Sequence, residues 1–201
     1  MSLWLAPRPL VLGSRSKARR NMMEAAGIPL EVIAPDVDER AIEEQAGLTG
    51  ASEAAVALAR EKARAVGVTR PERMVVGADQ TLAFGQQRLH KPADRAAARR
   101  QLETLAGRSH ELHSAVAVVQ GERVLFSHAE TARLTMRPLS ADLIESYLDA
   151  AGADATASVG GYQLEKLGVH LFERIEGDHF TILGLPLLAL LAFLRREGSL
   201  A

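Results

Sequence analysis

A chain of 201 residues can bury one sizeable core or two closely joined lobes. Its 24 Lys and Arg nearly balance 25 Asp and Glu, and aromatic residues make up only 4%, which argues against a general electrostatic or stacking grip on nucleic acid. The absence of cysteine excludes disulfides, thiol catalysis and Cys-ligated zinc, and is compatible with a reducing cytoplasm.

The first apolar run, Leu10 to Gly13, reads as a strand feeding a helix from Lys17 to Ala26 that Gly27 stops. Met1 to Gly13 does not read as a secretory signal, because no charged segment precedes its apolar stretch and Arg8 and two prolines interrupt it. Leu30 to Ile33 reads as a second strand, delivering Pro35-Asp36-Val37-Asp38-Glu39-Arg40 at its far end. Ser52 is the expected cap of a long Ala-rich helix ending near Gly67. Met74 to Ala78 is a short continuous apolar run, expected to be a buried strand that ends at Asp79-Gln80-Thr81. Leu82 to His90 follows as a hairpin around Gly85, then Lys91-Pro92.

Asp94 is the expected cap of a helix reaching Leu105, with Gly107 just past its end. His110 to Val119 and Arg123 to Met136 flank Gln120-Gly121-Glu122 and read as an antiparallel pair. Ser140 caps a helix through Asp149, Gly152 to Gly161 reads as a loop, and Val169 to Arg174 as a further strand. Pro186 suits the first turn of a final, buried helix. Its apolar run, Leu183 to Leu194, is about half of the roughly 20 residues a membrane span needs, so the expectation is a soluble, cytoplasmic protein. Interleaved helices and strands with at least one hairpin make the class α/β or α+β with a mixed sheet.

Four segments place chemistry-bearing residues at or beside element ends. Ser14, Ser16, Arg19 and Arg20 surround a strand-to-helix turn, where exposed N–H groups, hydroxyls and a guanidinium fork suit phosphate; an ordinary capped helix is the alternative. Asp36, Asp38 and Glu39 offer hard oxygen donors for a divalent cation, against the alternative of a solvated acidic turn. Lys62 could reach a phosphate from its helix, although an isolated lysine is ordinarily a solvated charge. Asp79, beside a buried strand, is poised as metal ligand or general base, with Lys91 returned towards it by the hairpin. The six histidines make no metal set, since His110 and His113 fall on opposite faces of one strand.

In order along the chain, Leu10-Val11-Leu12-Gly13-Ser14-Arg15-Ser16 with Arg19-Arg20, Ala34-Pro35-Asp36-Val37-Asp38-Glu39, Leu58-Ala59-Arg60-Glu61-Lys62-Ala63, Val76-Gly77-Ala78-Asp79-Gln80 and Lys91-Pro92-Ala93-Asp94 resemble the Maf family of nucleoside triphosphate pyrophosphatases. Gly107-Arg108-Ser109-His110-Glu111, Arg137-Pro138-Leu139-Ser140, Phe172-Glu173-Arg174-Ile175-Glu176-Gly177 and Gly184-Leu185-Pro186-Leu187 extend the resemblance over nearly the whole chain.

The resemblance implies one domain over residues 1–201, with an elongated mixed sheet flanked by helices and two lobes around a cleft, as in inosine triphosphate pyrophosphatases. It implies a hydrolase that splits the α–β phosphate bond, giving a nucleoside monophosphate and pyrophosphate. Asp79 matches the proton acceptor, and Ser14, Arg19, Glu39, Lys62 and Lys91 match phosphate- and metal-handling positions. Glu39, helped by Asp38 or Asp79, would hold Mg²⁺ or Mn²⁺.

Gln80 and Glu165 resemble the branch associated with 7-methyl-GTP, since a carboxylate accepts from guanine N1–H and the exocyclic amine. Ala18 departs from that branch, where a bulky aromatic is common, and Ser158 replaces a lysine of the pyrimidine branch. A dTTP/UTP pyrophosphatase and a non-catalytic nucleotide-sensing regulator of cell division are the alternatives. The expected partner is the nucleotide, with a homodimer from resemblance only, and no stable nucleic-acid or membrane binding.

Overall fold

The computed structural model describes residues 3–45, 47 and 50–201. Seven strands, β1 (Leu10–Gly13), β2 (Leu30–Val32), β3 (Met74–Phe84), β4 (Gln87–Leu89), β5 (Ser109–Gln120), β6 (Arg123–Met136) and β7 (Phe172–Glu176), form a mixed sheet. Its order is β2-β1-β3-β5-β6-β7, with β4 paired to β3. β1 runs parallel to β2 and β3, whereas β3–β4 and β6–β7 are antiparallel. The helices are α1 (Lys17–Ala25), α2 (Glu39–Gln45), α3 (Ala51–Gly67), α4 (Arg95–Leu105), α5 (Ala141–Ala151), α6 (Asp154–Ala157), α7 (His179–Ile182) and α8 (Leu187–Arg196). This is the mixed α/β architecture expected from the interleaved pattern. Among the described residues no helix is long and apolar enough to cross a membrane.

Local chemistry sets most element ends. Ser16 Oγ accepts from Arg19 N at 3.4 Å, Asp94 Oδ1 from Ala97 N at 2.7 Å and Ser140 Oγ from Leu143 N at 3.2 Å, each satisfying an N–H that the first helical turn leaves unpaired. Several boundaries differ from the sequence expectation. α3 begins after Gly50, so Ser52 lies inside it rather than capping it. β3 does not stop at Asp79 but runs on to Phe84, because Thr81 to Ala83 are also buried and pair onwards. The stretch from Gly152 to Gly161 holds α6 and a 3-10 turn at Val159–Gly161, and β7 starts only at Phe172 because Leu167–Leu171 coils into another 3-10 turn. The acidic turn after β2 leads directly into α2, which the composition did not announce.

The chain folds as two compact units: the chain through Gln80 with Ser114–Glu130 and Gly184–Ala201, and Thr81–His113 with Thr131–Leu183. In the first, α3 packs Ala55, Ala59 and Ala63 against the sheet, where Val11, Val75, Ala115 and Ala117 are buried. Small side chains permit a close approach, and two glycines paired across β1 and β3, Gly13 and Gly77, complete it. A Cβ on Gly77 would lie 2.2 Å from Ala59 O and 2.6 Å from Ala63 N. One on Gly13 would lie 3.1 Å from Lys62 O. Gly77 is therefore a seat for the helix backbone, not a flexible point.

In the second unit, Leu82, Leu102, Leu105, Leu112, Leu134 and Ile144 belong to one core. His110 is buried within it, 2% exposed, and its Nε2 shares a 2.6 Å hydrogen bond with the Tyr162 hydroxyl. Tyr147 OH donates to Gly161 O at 3.2 Å, and Gln101 Oε1 accepts from Gly160 N at 3.0 Å. Gly160 and Gly161 take φ of +80° and +78°, which a side chain would disfavour, so this turn depends on both glycines.

Gly77→Ala should force α3 off the sheet and destabilise the fold by about 3 kcal/mol, read as a lowered urea midpoint. Burial pushes the His110 pKa down from 6.5 to about 4. The unfolded chain therefore binds more protons between those values. The contribution is fully present above pH 6.5, falls as the pH drops towards 4, and amounts to about 3 kcal/mol in all. His110→Gln should flatten this part of the stability–pH curve, measured by urea unfolding at pH 7 and near pH 4.

Candidate active site

The seat at Gly77 has an immediate consequence two residues along β3. Residues at i and i+2 of a strand share a face, so Asp79 points to the same side as Gly77. Lys62 lies on α3 between Ala59 and Ala63, the two residues whose backbone rests on Gly77. Its ammonium meets the Asp79 carboxylate, with Nζ donating to Oδ1 at 2.5 Å. Neither group is solvated: Lys62 is 8% exposed and Asp79 6%. The ordinary alternative, a lysine extended into water, does not apply here.

A second carboxylate reaches the same ammonium. Glu39, the first residue of α2, places Oε1 2.7 Å from Lys62 Nζ while its side chain remains about half exposed, at 54%. Asp38 is exposed and takes another part: its Oδ1 accepts from Ala41 N at 3.1 Å, tying down the start of α2 just before Glu39. The acidic segment thus divides into a helix-capping residue and one that turns inward to the buried cation. Among the described residues no group of three or more His, Cys, Asp or Glu converges as a metal cluster.

Arg19 braces the same unit. Its Nε donates to Gly184 O at 2.8 Å, and its Nη1 donates to Ala78 O at 2.8 Å and to Ser14 Oγ at 3.4 Å. The residue as a whole is partly exposed, but its guanidinium is enclosed. That burial lowers its pKa from the ordinary arginine value, opposed by the negative charges of Asp79 and Glu39. Ser14, 4% exposed, also accepts from Ser16 N at 3.2 Å, so its hydroxyl fixes the turn out of β1. Arg20 pairs instead with Glu24 at 2.8 Å on the surface, the solvated pair that helix spacing favours.

Gln80 Nε2 donates to Ser114 Oγ at 2.9 Å, and Gln80 Cδ lies 3.7 Å from where a Cβ on Gly184 would stand. Ala18 is partly buried on α1. Ser14, Arg19, Glu39, Lys62, Asp79 and Gln80 are thus brought together within the first unit by contacts among themselves or with shared neighbours. Lys91 and Glu165 belong to the second unit. Lys91 is exposed between β4 and α4, and Glu165 is exposed in the turn that follows Gly160–Tyr162.

Two participants were not singled out from the sequence. Ser114 is fully buried in β5, and its hydroxyl directly before the apolar run Ala115 to Val119 was the available signal. Gly184, with φ of +98°, presents its carbonyl to Arg19; the family series Gly184-Leu185-Pro186-Leu187 includes it but gives no sign of that partner.

A family model described as Maf-like protein matches residues 9–197. Over 201 residues, 100% of both chains, the sequence is 58% identical to a protein of Rhodopseudomonas palustris (strain ATCC BAA-98 / CGA009) named nucleoside triphosphate pyrophosphatase. It is 54% identical over 201 residues, again 100% of both chains, to a protein of that name from Nitrobacter hamburgensis (strain DSM 10229 / NCIMB 13809 / X14). It is 46% identical over 193 residues, 95% of this chain and 97% of the other, to a 7-methyl-GTP pyrophosphatase of Rhizobium meliloti (strain 1021). With the family model and these identities running almost end to end, the chain belongs to the Maf-like protein family.

Proposed function

We propose that this protein is a nucleoside triphosphate pyrophosphatase, hydrolysing the α–β phosphate bond to a nucleoside monophosphate and pyrophosphate. The observation that carries the reading is the buried Asp79–Lys62 pair, joined from the surface by Glu39, beside the enclosed Arg19 guanidinium. Names of relatives that align over the whole chain support it. The two compact units are read as one functional domain over residues 1–201, because each is assembled from separated stretches of chain.

Asp79 accepts a proton from water while the water oxygen bonds to the α-phosphorus. The bond from that phosphorus to the α–β bridging oxygen breaks, and its electron pair leaves with pyrophosphate. Before substrate binds, the Lys62 ammonium orients the Asp79 carboxylate through its hydrogen bond to Oδ1. Lys62 and Arg19 also balance charge on the phosphate oxygens, with Ser14 holding the Arg19 side of the turn. On the family resemblance Lys91 contributes a further cation to the phosphates.

Glu39 and Asp79 are hard oxygen donors converging on one point, with Asp38 next in sequence to Glu39. Such a pair fits Mg²⁺ or Mn²⁺, which typically take one or two protein carboxylates and complete their shell with phosphate oxygens and water. The metal would supply Lewis-acid stabilisation of the phosphate charge.

Base selection is assigned to Ala18, Gln80 and Glu165, with 7-methyl-GTP as the candidate substrate. The 46% identity to the Rhizobium meliloti protein of that name supports this choice. No stable nucleic-acid or membrane partner is invoked, and a cytoplasmic homodimer is the expected form.

Asp79→Asn, assayed with metal saturating, should lower pyrophosphate release by at least about 100-fold. Near-wild-type turnover would refute Asp79 as the base. A panel of 7-methyl-GTP, GTP, dTTP and UTP with Mg²⁺ or Mn²⁺ should favour the guanine nucleotides, and faster turnover of dTTP or UTP would reverse the assignment of the base. Tight nucleotide binding without pyrophosphate release from any of the four would support a sensor in place of an enzyme.

A further inference from the structure

Two carboxylates converge on one cation in this site, and that cation belongs to the protein. Lys62 Nζ lies 2.5 Å from Asp79 Oδ1 and 2.7 Å from Glu39 Oε1. These two residues are the ones that the proposed function assigns to a divalent metal. A metal bound through the oxygens that now face Lys62 would meet the ammonium almost at its own position, and two cations cannot share that place.

The helix cannot resolve the conflict by withdrawing. Its backbone is seated on Gly77, and Lys62 O lies against Gly13. The lysine side chain can swing away, and phosphate oxygens offer it acceptors of equal charge.

From this geometry we infer that Lys62 is a built-in placeholder for the metal, released when the triphosphate offers its own oxygens to the ammonium. The inference rests on the proposed reading of this site as a metal-dependent nucleotide site. Nucleotide phosphate takes Lys62, and the vacated Glu39 and Asp79 oxygens then receive the metal. Metal and nucleotide therefore bind interdependently, and each raises the affinity for the other by the same factor. The small donor set has the same consequence, because no third His, Cys, Asp or Glu converges there among the described residues. Until substrate arrives, the ammonium occupies the point between the two carboxylate oxygens and competes with free cations for it.

The test is Mn²⁺ binding to the intact, nucleotide-free protein, followed by the electron paramagnetic resonance signal of free Mn²⁺. Wild type should bind Mn²⁺ only weakly. Lys62→Met should bind it at least about tenfold more tightly, because the competing charge is gone. Adding Glu39→Gln to that variant should abolish the gain. A guanosine triphosphate analogue with a methylene bridge between the α and β phosphorus atoms should raise Mn²⁺ affinity in wild type by at least about tenfold, and by much less in Lys62→Met.

Nucleotide-free wild type binding Mn²⁺ as tightly as Lys62→Met would overturn the placeholder role, as would an analogue that leaves wild-type Mn²⁺ affinity unchanged. Should Lys62→Met not fold, the wild-type titrations with and without analogue decide the matter. These readings are independent of turnover. Absence of pyrophosphate release with every nucleotide would remove the proposed activity while leaving the competition between Lys62 and Mn²⁺ to be read directly.

Discussion

The structure of the first unit depends on keeping an ammonium and a carboxylate together away from water. Removing either charge from solvent costs several kcal/mol, and their mutual attraction compensates only when the geometry is close and the remaining hydrogen-bonding capacity is met. Lys62 and Asp79 achieve this at 2.5 Å, with Glu39 as a second acceptor at 2.7 Å. The closeness is not a property of the two side chains. It comes from Gly77, which lets the backbone of α3 approach β3 so nearly that a single methyl group would collide with Ala59 O. Gly13, paired with Gly77 across the parallel strands, allows the neighbouring strand a close but looser approach beneath Lys62 O. Backbone packing, rather than local charge, brings these two groups together.

Arg19 extends the same logic. A guanidinium has five donors in a fixed plane, and here Nε and Nη1 are committed to Gly184 O, Ala78 O and Ser14 Oγ. One side chain thus links the turn after β1, the residue preceding Asp79 in β3 and the turn before α8. Lysine, a point charge without a planar fork, could not hold the two carbonyls in that relation. The bonds place positive charge near Asp79 and Glu39 without closing a direct ion pair on either, so the carboxylates remain with Lys62. Gln80 is fixed similarly by Ser114, which makes it part of a hydrogen-bonded frame instead of a mobile surface amide.

What could be read from the sequence divides by range. Ser140, Asp94 and Gly27 mark helix ends through contacts within a few residues, and those ends stand where the chemistry of caps puts them. The long strand through Asp79 was read too short. A carboxylate after an apolar run looks like an exit to solvent, and nothing local reveals a lysine on another element waiting to neutralise it. For the same reason spacing alone offers solvent as the ordinary place for Lys62, and only the family resemblance marks it as a phosphate-handling position. A signal did exist in the small-residue stripe Ala55, Ala59, Ala63 opposite Gly77, which announces a close helix–sheet contact and so a buried neighbour. The bond between Arg19 and Gly184 spans 165 residues and has no local signature. The family pattern put all these residues in one series, but their distances and division of labour come only from the fold.

On the proposed reading the residues assembled around Lys62 meet phosphate and metal, and the triphosphate is the same in every nucleoside triphosphate. A charge cluster of this kind supplies transition-state stabilisation but cannot distinguish one base from another, because the features it recognises do not vary. Discrimination has to reside in neutral or differently placed groups. On the same reading Ala18, on the helix that follows the turn out of β1, would offer little surface for stacking and so remove one general source of base affinity worth about 1–3 kcal/mol. Selection then falls more heavily on hydrogen bonding, where an unmatched partner left without water is costly. Gln80 adjoins Asp79 directly in β3 and is oriented by Ser114. On the proposed reading the two tasks would fall to consecutive residues of one strand: the carboxylate faces the lysine, and the next side chain, on the opposite face, is held by Ser114. A change at position 80 would then alter base preference without moving Asp79 from Lys62, and the chemistry and the choice of nucleotide would vary independently on the same scaffold.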